Sequence, residues 1–360
     1  MQDGHSLIPR ILVIRFSSLG DVVLADPVFR ALKRRLPESS ITFLTKSEYA
    51  GIHRSNPDVD EIREFDPATR SLSSLIQMVR SSGFSEIIDL HGSLRSRLIT
   101  LAGGTLTRRF RQERFKRSLM VLRPPFKRIR PITPVIDRYL IAAGSDESSN
   151  GHVAEEGVPV VHLTSGEIET GRAWRWNVMS GHEGRLIVLL PGAKHAPKEW
   201  PLFHFAELAR LIELGGDTPV VVVPPDNREL GSVLQDMEES VILAEPVPDI
   251  MELASLLATA DGVVANDSGP MHLSAALGTP TVGLFGPTSP DLGFTPRGNR
   301  VTHIYRGVSC SPCSKHGQRV CWKRERHCML DMTPRDIMDA LNWCFSRPES
   351  PETGDTLEIP

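Results

Sequence analysis

Ile11-Leu-Val-Ile-Arg-Phe-Ser-Ser-Leu-Gly-Asp21 runs an apolar, β-branched stretch into a polar, glycine-bearing turn, and residues 21–35 continue it with Val22, Leu24, Ala25, Val28, Phe29 and Leu32 at helical spacing. A buried strand that feeds a helix through such a turn is the opening of a doubly wound α/β unit. Asn266-Asp-Ser-Gly-Pro-Met-His272 repeats the arrangement far downstream, after the apolar run at Gly262–Ala265. A polar turn at a helix N-terminus offers free N–H groups to an anion or a sugar. Two such turns in two halves of one chain lead us to expect a cleft with a ligand held between them.

Working outward, strands are expected at 11–16, 41–44, 62–65, 86–90 and 158–163, and again at 185–190, 219–223, 241–244, 262–265 and 281–285. Helices are expected at 21–35, 71–82, 203–214, 228–237, 249–259 and 270–277. Apolar strands alternating with amphipathic helices imply mainly parallel sheets covered on both faces. The expected architecture is α/β, two facing Rossmann-like doubly wound domains: 1–165, a linker at 166–184, and 185–345. The Pro-rich, acidic residues 346–360 read as a disordered tail.

The 360 residues allow two cores, and 40% hydrophobic with 24% charged residues is ordinary for a globular protein. A net charge of −3 gives no bias toward nucleic acid. No apolar run approaches a membrane span, and the start shows no secretory signal. Five cysteines, an odd number, point to a reducing compartment. The expectation is a cytoplasmic protein.

Each candidate site has a plainer reading beside it. Ser18 or Asp21 could merely cap a helix; the functional reading makes Asp21 a carboxylate base that takes a proton from an attacking hydroxyl, with Ser18 and Gly20 among the acceptor contacts. In Pro191-Gly-Ala-Lys-His-Ala-Pro-Lys198-Glu-Trp-Pro201, Lys194 and Lys198 are either surface lysines or diphosphate contacts. Asp267, Ser268, Gly269, Pro270, Met271 and His272 form either a well-made helix start or a place where the backbone holds leaving-group oxygens. His91 and Arg95 in Asp89-Leu-His-Gly-Ser-Leu-Arg95 could face the same cleft, since arginine suits a carboxylate or phosphate on an acceptor.

Between Arg108 and Arg130 lie Arg108, Arg109, Arg111, Arg114, Lys116, Arg117, Arg123, Lys127, Arg128 and Arg130 against Glu113 alone. This imbalance favours an anionic partner, and the interleaved apolar residues suit a membrane surface. RNA is an alternative, without an RNA-binding signature. Cys310, Cys313, Cys321 and Cys328 could hold a structural zinc or be reduced buried thiols; the second pair is too widely spaced for a zinc ribbon. No nucleophile elbow, Walker loop or dinucleotide fingerprint is present.

Four of these blocks together resemble the ADP-heptose:lipopolysaccharide heptosyltransferases, glycosyltransferase family nine. They are residues 11–27, Asp89–Arg95, Pro191–Ala193 with Lys198–Pro201, and Asn266–His272 with Gly283–Pro290. The resemblance spans roughly residues 10–345. It implies a GT-B fold, inversion at the anomeric carbon, no required metal, and an acceptor in the lipopolysaccharide inner core. By matching position, Asp21 is similar to the family's base, Lys198 to its diphosphate lysine, and Asp267 and His272 to its donor-contacting pair. The partners implied are ADP-heptose, the anionic lipopolysaccharide core acceptor with Arg108, Arg109 and Arg111 among its contacts, and transient contact with the inner face of the cytoplasmic membrane; nucleic acid is not among them. The alternatives are a same-fold transferase for another nucleotide sugar, a nucleotide-sugar epimerase, or a non-catalytic sugar-nucleotide-binding protein.

Overall fold

A computed structural model describes residues 8–66, 68, 71–122, 132–145 and 157–348. The chain divides into two compact units, Met1–Gln112 with Val135–His162, and Glu113–Pro134 with Leu163–Pro360.

The first unit is built on a five-stranded sheet of β1 (Arg10–Ile14), β2 (Ser40–Lys46), β3 (Glu61–Phe65), β4 (Glu86–Asp89) and β5 (Leu106–Arg109). Every pairing is parallel and the spatial order is β3-β2-β1-β4-β5. Leu12, Ile14, Leu44, Ile87 and Ile99 are fully buried in its core. Central strands of a parallel sheet are covered on both faces, which explains why β1 and β4 read as continuous apolar runs.

The second unit carries β6 (Leu186–Leu190), β7 (Thr218–Val221), β8 (Ile242–Leu243), β9 (Gly262–Asn266), β10 (Thr281–Phe285) and β11 (Val301–Tyr305), again all parallel, in the order β11-β10-β9-β6-β7-β8. β6, β9 and β10 are buried along their whole length. In both sheets the order reverses beside the first strand. That places the ligand crevice at the carboxyl ends of β1 and β4 in one unit and of β6 and β9 in the other.

Some expectations are corrected. The single helix expected over 21–35 is two, Leu19–Val23 and Asp26–Arg35. Pro27 has no N–H to continue the ladder, so the helix restarts with proline in its first turn. The Val22 carbonyl at the break accepts from Ala25 N (3.1 Å) and His53 Nε2 (2.8 Å). Residues 158–163 are not a strand: Val160 N donates to Asp26 at 2.8 Å and the Val158 carbonyl accepts from Arg30 at 2.5 Å, so their polar groups are met by a helix and not by a sheet edge. Residues 166–184 hold most of a helix, Ser165–Val178, started by a capping box of Thr164 and Glu167. Gly171 lets it lie on the helix Ile250–Leu257, since a Cβ there would meet the Ser255 carbonyl at 2.2 Å. β5 and β11 had not been expected as strands. Residues 123–131, with four of the ten basic positions, and 349–360 of the tail lie outside the described residues. Among the described residues no helix is long and apolar enough to cross a membrane.

Candidate functional site

The second unit joins its two sequence-read turns directly. Pro191–Pro201 leaves the carboxyl end of β6 and Asp267 follows that of β9, adjacent parallel strands. Lys198 Nζ lies 2.7 Å from Asp267 Oδ2 and 2.9 Å from the Asp267 carbonyl, with both side chains largely buried. Thr288 Oγ1 donates to the same carboxylate oxygen at 2.6 Å. Asn266 braces the two loops: its Oδ1 accepts from Trp200 N at 2.9 Å, and its Nδ2 donates to the Pro191 carbonyl at 2.7 Å. The result is a buried ammonium held at the start of the helix Gly269–Ala276.

That helix opens with Pro270 in its first turn, so one of its orphan donors is absent from the start. Ser268, the N-cap residue, makes no side-chain cap bond, and its buried Oγ has no hydrogen-bond partner. A buried hydroxyl without a partner is costly, and here it stands beside free helix N–H groups and a lysine. This combination suits phosphate oxygens. His272 is buried in the next turn. Met271 is not a ligand-facing group: it is fully buried and packs on β10, where a Cβ on Gly283 would come 2.5 Å from its sulfur. Lys194 is exposed. Gly317, at φ +81°, lies over the Lys198 stem so closely that a Cβ would be 2.5 Å from Lys198 Cγ.

In the first unit the carboxyl ends of β1 and β4 meet around Asp21. Ser18 N and Ser18 Oγ donate to Asp21 Oδ2 at 3.2 and 3.0 Å, so the carboxylate does serve the helix start. It also pairs with Arg15 Nη2 at 2.6 Å, and Tyr139 Oη lies 3.5 Å from its other oxygen. Burial pushes the Asp21 carboxyl upward, but the Arg15 charge and the Ser18 donors outweigh it and hold it below the usual carboxylate range. Arg15 is itself buried and donates to the Leu90 carbonyl at 2.6 Å. Burial, and then the Asp21 charge in the same direction after partial relief by Arg15, raises the Tyr139 hydroxyl.

His91 stands on the turn after β4. Asp89 Oδ1 accepts from His91 N (3.0 Å) and Gly92 N (2.9 Å), and Gly92 sits at φ +64° with no room for a Cβ beside Gln112. The His91 ring packs edge-on against Phe16, 4.9 Å between centroids, and its buried Nδ1 has no hydrogen-bond partner. Burial, then the Arg15 charge, lowers it to about 4, so it is neutral at pH 7.

The arginines do not act as one group. Arg95 is exposed, its guanidinium 5.2 Å from the Phe65 ring centroid. Arg109 lies 3.6 Å from the Asp89 carboxylate and donates to Thr100. Arg108, its neighbour on β5, points to the opposite face and pairs with Glu86 at 2.7 Å, together with Arg35. Arg108 is therefore taken up by a structural pair away from the Asp89 end, while Arg111 is exposed. The parts played by Arg15 and Tyr139 were not anticipated, and Asn266 and Thr288, though inside quoted motifs, had been given no role of their own.

All five cysteines are free thiols. Cys310, Cys313, Cys321 and Cys328 line one pocket with Pro197 and Pro287. Burial, then the neighbouring Cys313, Cys310 and Cys321, pushes the Cys328 thiol up to about 12. Among the described residues no three His, Cys, Asp or Glu side chains are arranged to hold a metal ion.

Comparison with known proteins bears on the family and the fold. Residues 72–322 match the family model of glycosyltransferase family 9 (heptosyltransferase). The chain is 26% identical over 348 residues to lipopolysaccharide heptosyltransferase 2 of Escherichia coli K12, covering 92% of this chain and 97% of that one. Among solved structures it resembles the glycosyl transferase family 9 protein of Veillonella parvula, with TM-score 0.75, 20% identity and coverage of 94% and 97%. It also resembles the E. coli ADP-heptose lps heptosyltransferase II, with TM-score 0.68, 23% identity and coverage of 93% and 98%. These likenesses carry the fold, which is of the GT-B type.

Proposed function

Since this chain belongs to glycosyltransferase family 9 (heptosyltransferase) and is a glycosyltransferase, we propose that it moves heptose from ADP-heptose to a lipopolysaccharide inner-core acceptor, with inversion and without a metal. The substrates are suggested by similar proteins: a lipopolysaccharide heptosyltransferase 2 and an ADP-heptose lps heptosyltransferase II. The observation that supports the reading most is the Lys198–Asp267 pair at the mouth of the helix Gly269–Ala276.

In this mechanism the donor diphosphate takes the place beside Lys198, with the Ser268 hydroxyl and the helix N–H groups supplying further donors. Lys198 and the helix terminus stabilise the negative charge that grows as the sugar–phosphate bond breaks, the part a metal plays elsewhere. Asp267 and Thr288 hold the ammonium in position before the donor arrives. Asp21 accepts the proton of the acceptor hydroxyl. A carboxylate held below the usual range is ionised at neutral pH but weakly basic, so it works late, as the hydroxyl turns acidic on forming its new bond. A single displacement at the anomeric carbon inverts it. Arg95, Arg109 and Arg111 are offered to phosphates on the acceptor. A lipid-bearing acceptor places the enzyme at the inner face of the cytoplasmic membrane, acting from the cytoplasm.

The test is transfer by Asp21→Asn with saturating ADP-heptose and core acceptor, the product identified by mass. We expect turnover to fall by about 10²- to 10⁴-fold with donor binding intact. Turnover near that of the unaltered protein would remove Asp21 from the mechanism, and a product lacking a heptose would remove the donor assignment.

A further inference from the structure

The helix Leu94–Gly103 leaves one face without a protein partner. Leu94, Leu98 and Leu101 are 76%, 41% and 71% exposed, and at helical spacing they fall within about 60° of one another. Ile99 and Thr100 mark the opposite, buried side, which packs against the helix Leu72–Ser81. Single exposed leucines are ordinary; three in line on one short helix are not. Leu106, on the edge strand β5, is a fourth at 58%.

The charges along this stretch of chain have one sign. Residues 91–112 contain Arg95, Arg97, Arg108, Arg109 and Arg111 and no Asp or Glu. Helical spacing sets Arg97 on one flank of the stripe and Arg95 on the other, and both are exposed. Exposed Arg80, on the adjoining helix, donates to the Ala102 carbonyl. The acidic groups nearby, Glu86 and Asp89, are buried and already paired with arginines. The Leu72–Ser81 helix adds none.

An apolar stripe with cationic margins is the composition of a helix that lies in a lipid interface. We propose that the outer face of the helix Leu94–Gly103 docks on an anionic membrane, with Leu94, Leu98 and Leu101 entering the headgroup–acyl boundary and Arg95 and Arg97 meeting lipid phosphates. The helix begins three residues after His91, at the carboxyl end of β4, so the docked face starts beside the turn that carries the Asp21-side chemistry. This deepens the proposed function, which supplies a lipid-anchored acceptor, but its test does not require that reading to hold.

The experiment sediments the full chain with phosphatidylcholine vesicles, with and without phosphatidylglycerol and without acceptor. Binding is expected only with phosphatidylglycerol and should weaken with salt. The triple variant Leu94→Gln/Leu98→Gln/Leu101→Gln is expected to bind about tenfold or more weakly, and Arg97→Glu about fivefold or more weakly, with unchanged melting temperatures. Transfer to a delipidated, water-soluble acceptor should be unaffected in the triple variant; absence of that transfer in the unaltered protein would count against the enzymatic reading alone. The docking proposal is overturned by no binding to phosphatidylglycerol vesicles, or by Arg97→Glu and the triple variant binding as tightly as the unaltered protein. It is overturned too if the unaltered protein self-associates on size exclusion while the triple variant is monomeric, since the face would then cover a second copy.

Discussion

Arg15 Nη2 stands 2.6 Å from Asp21 Oδ2, joining the residue just past the carboxyl end of β1 to the helix that follows it. The pair fixes both the position and the proton affinity of the carboxylate proposed as base. Arg15→Met is expected to raise the Asp21 pKa, since the Arg15 charge is the largest of the influences that lower it. The acid limb of the kcat/KM–pH profile then moves to higher pH, where the unaltered enzyme is still flat. Tyr139→Phe, which leaves the arginine in place, should not move it that far. An acid limb unmoved in Arg15→Met would separate Asp21 from the rate-determining ionisation.

The Lys198–Asp267 pair makes a second prediction, in which stability and donor binding separate. Lys198→Met leaves a largely buried carboxylate with Thr288 as its remaining side-chain donor, and unfolding by urea should show a loss of about 3 kcal/mol. The KM for the donor should rise about 10- to 100-fold. Lys198→Met/Asp267→Leu is expected to recover stability and leave donor binding poor. Recovery of both would mean that the lysine serves the fold and not the ligand.

His91 predicts an acid-side weakness. Its folded pKa, about 4, lies below the ordinary 6.5. Between those values the unfolded chain binds a proton that the native one refuses. Stability is therefore lost as pH falls through that window and levels off below it. The loss attributable to this residue is on the order of 2–3 kcal/mol, allowing for its partial contact with solvent. Urea midpoints from pH 7 to pH 4.5 should fall less steeply in His91→Gln; parallel slopes would assign the acid sensitivity elsewhere.

Metal removal offers a fourth. Transfer after dialysis against a chelator is expected to match transfer before it, and elemental analysis to find no stoichiometric zinc or iron. Lost activity restored by one added metal would overturn the metal-free reading and turn attention to Cys310, Cys313, Cys321 and Cys328, which line one pocket.

Much of the frame was legible because central parallel strands are apolar along their whole length and end in glycine-bearing turns. Lys198, Asp267 and Asp21 were readable for the same reason, being polar residues just past such strands. Arg15 was not: it sits at the end of an apolar run, and its partners appear only once β1 and β4 pair. Tyr139 reaches Asp21 across 118 residues, a separation that no local pattern announces. Arg108 and Arg109 were grouped because β5, an exposed and arginine-bearing edge strand, lacks the apolar signal; once it is a strand, its period of two sends them to opposite faces. Met271 was taken with its polar neighbours because a turn's sequence does not say which side of the new helix faces the sheet.

One amide gives the second unit's cradle a mechanical character. Asn266 is a cross-tie, one end on the Trp200 backbone and the other on the Pro191 carbonyl, so the loop that carries the lysine and the turn that carries the aspartate cannot drift apart separately. A change of length in either loop would therefore strain the other. New sugar specificities are easier to reach by altering what lines the rim than by re-spacing the two loops.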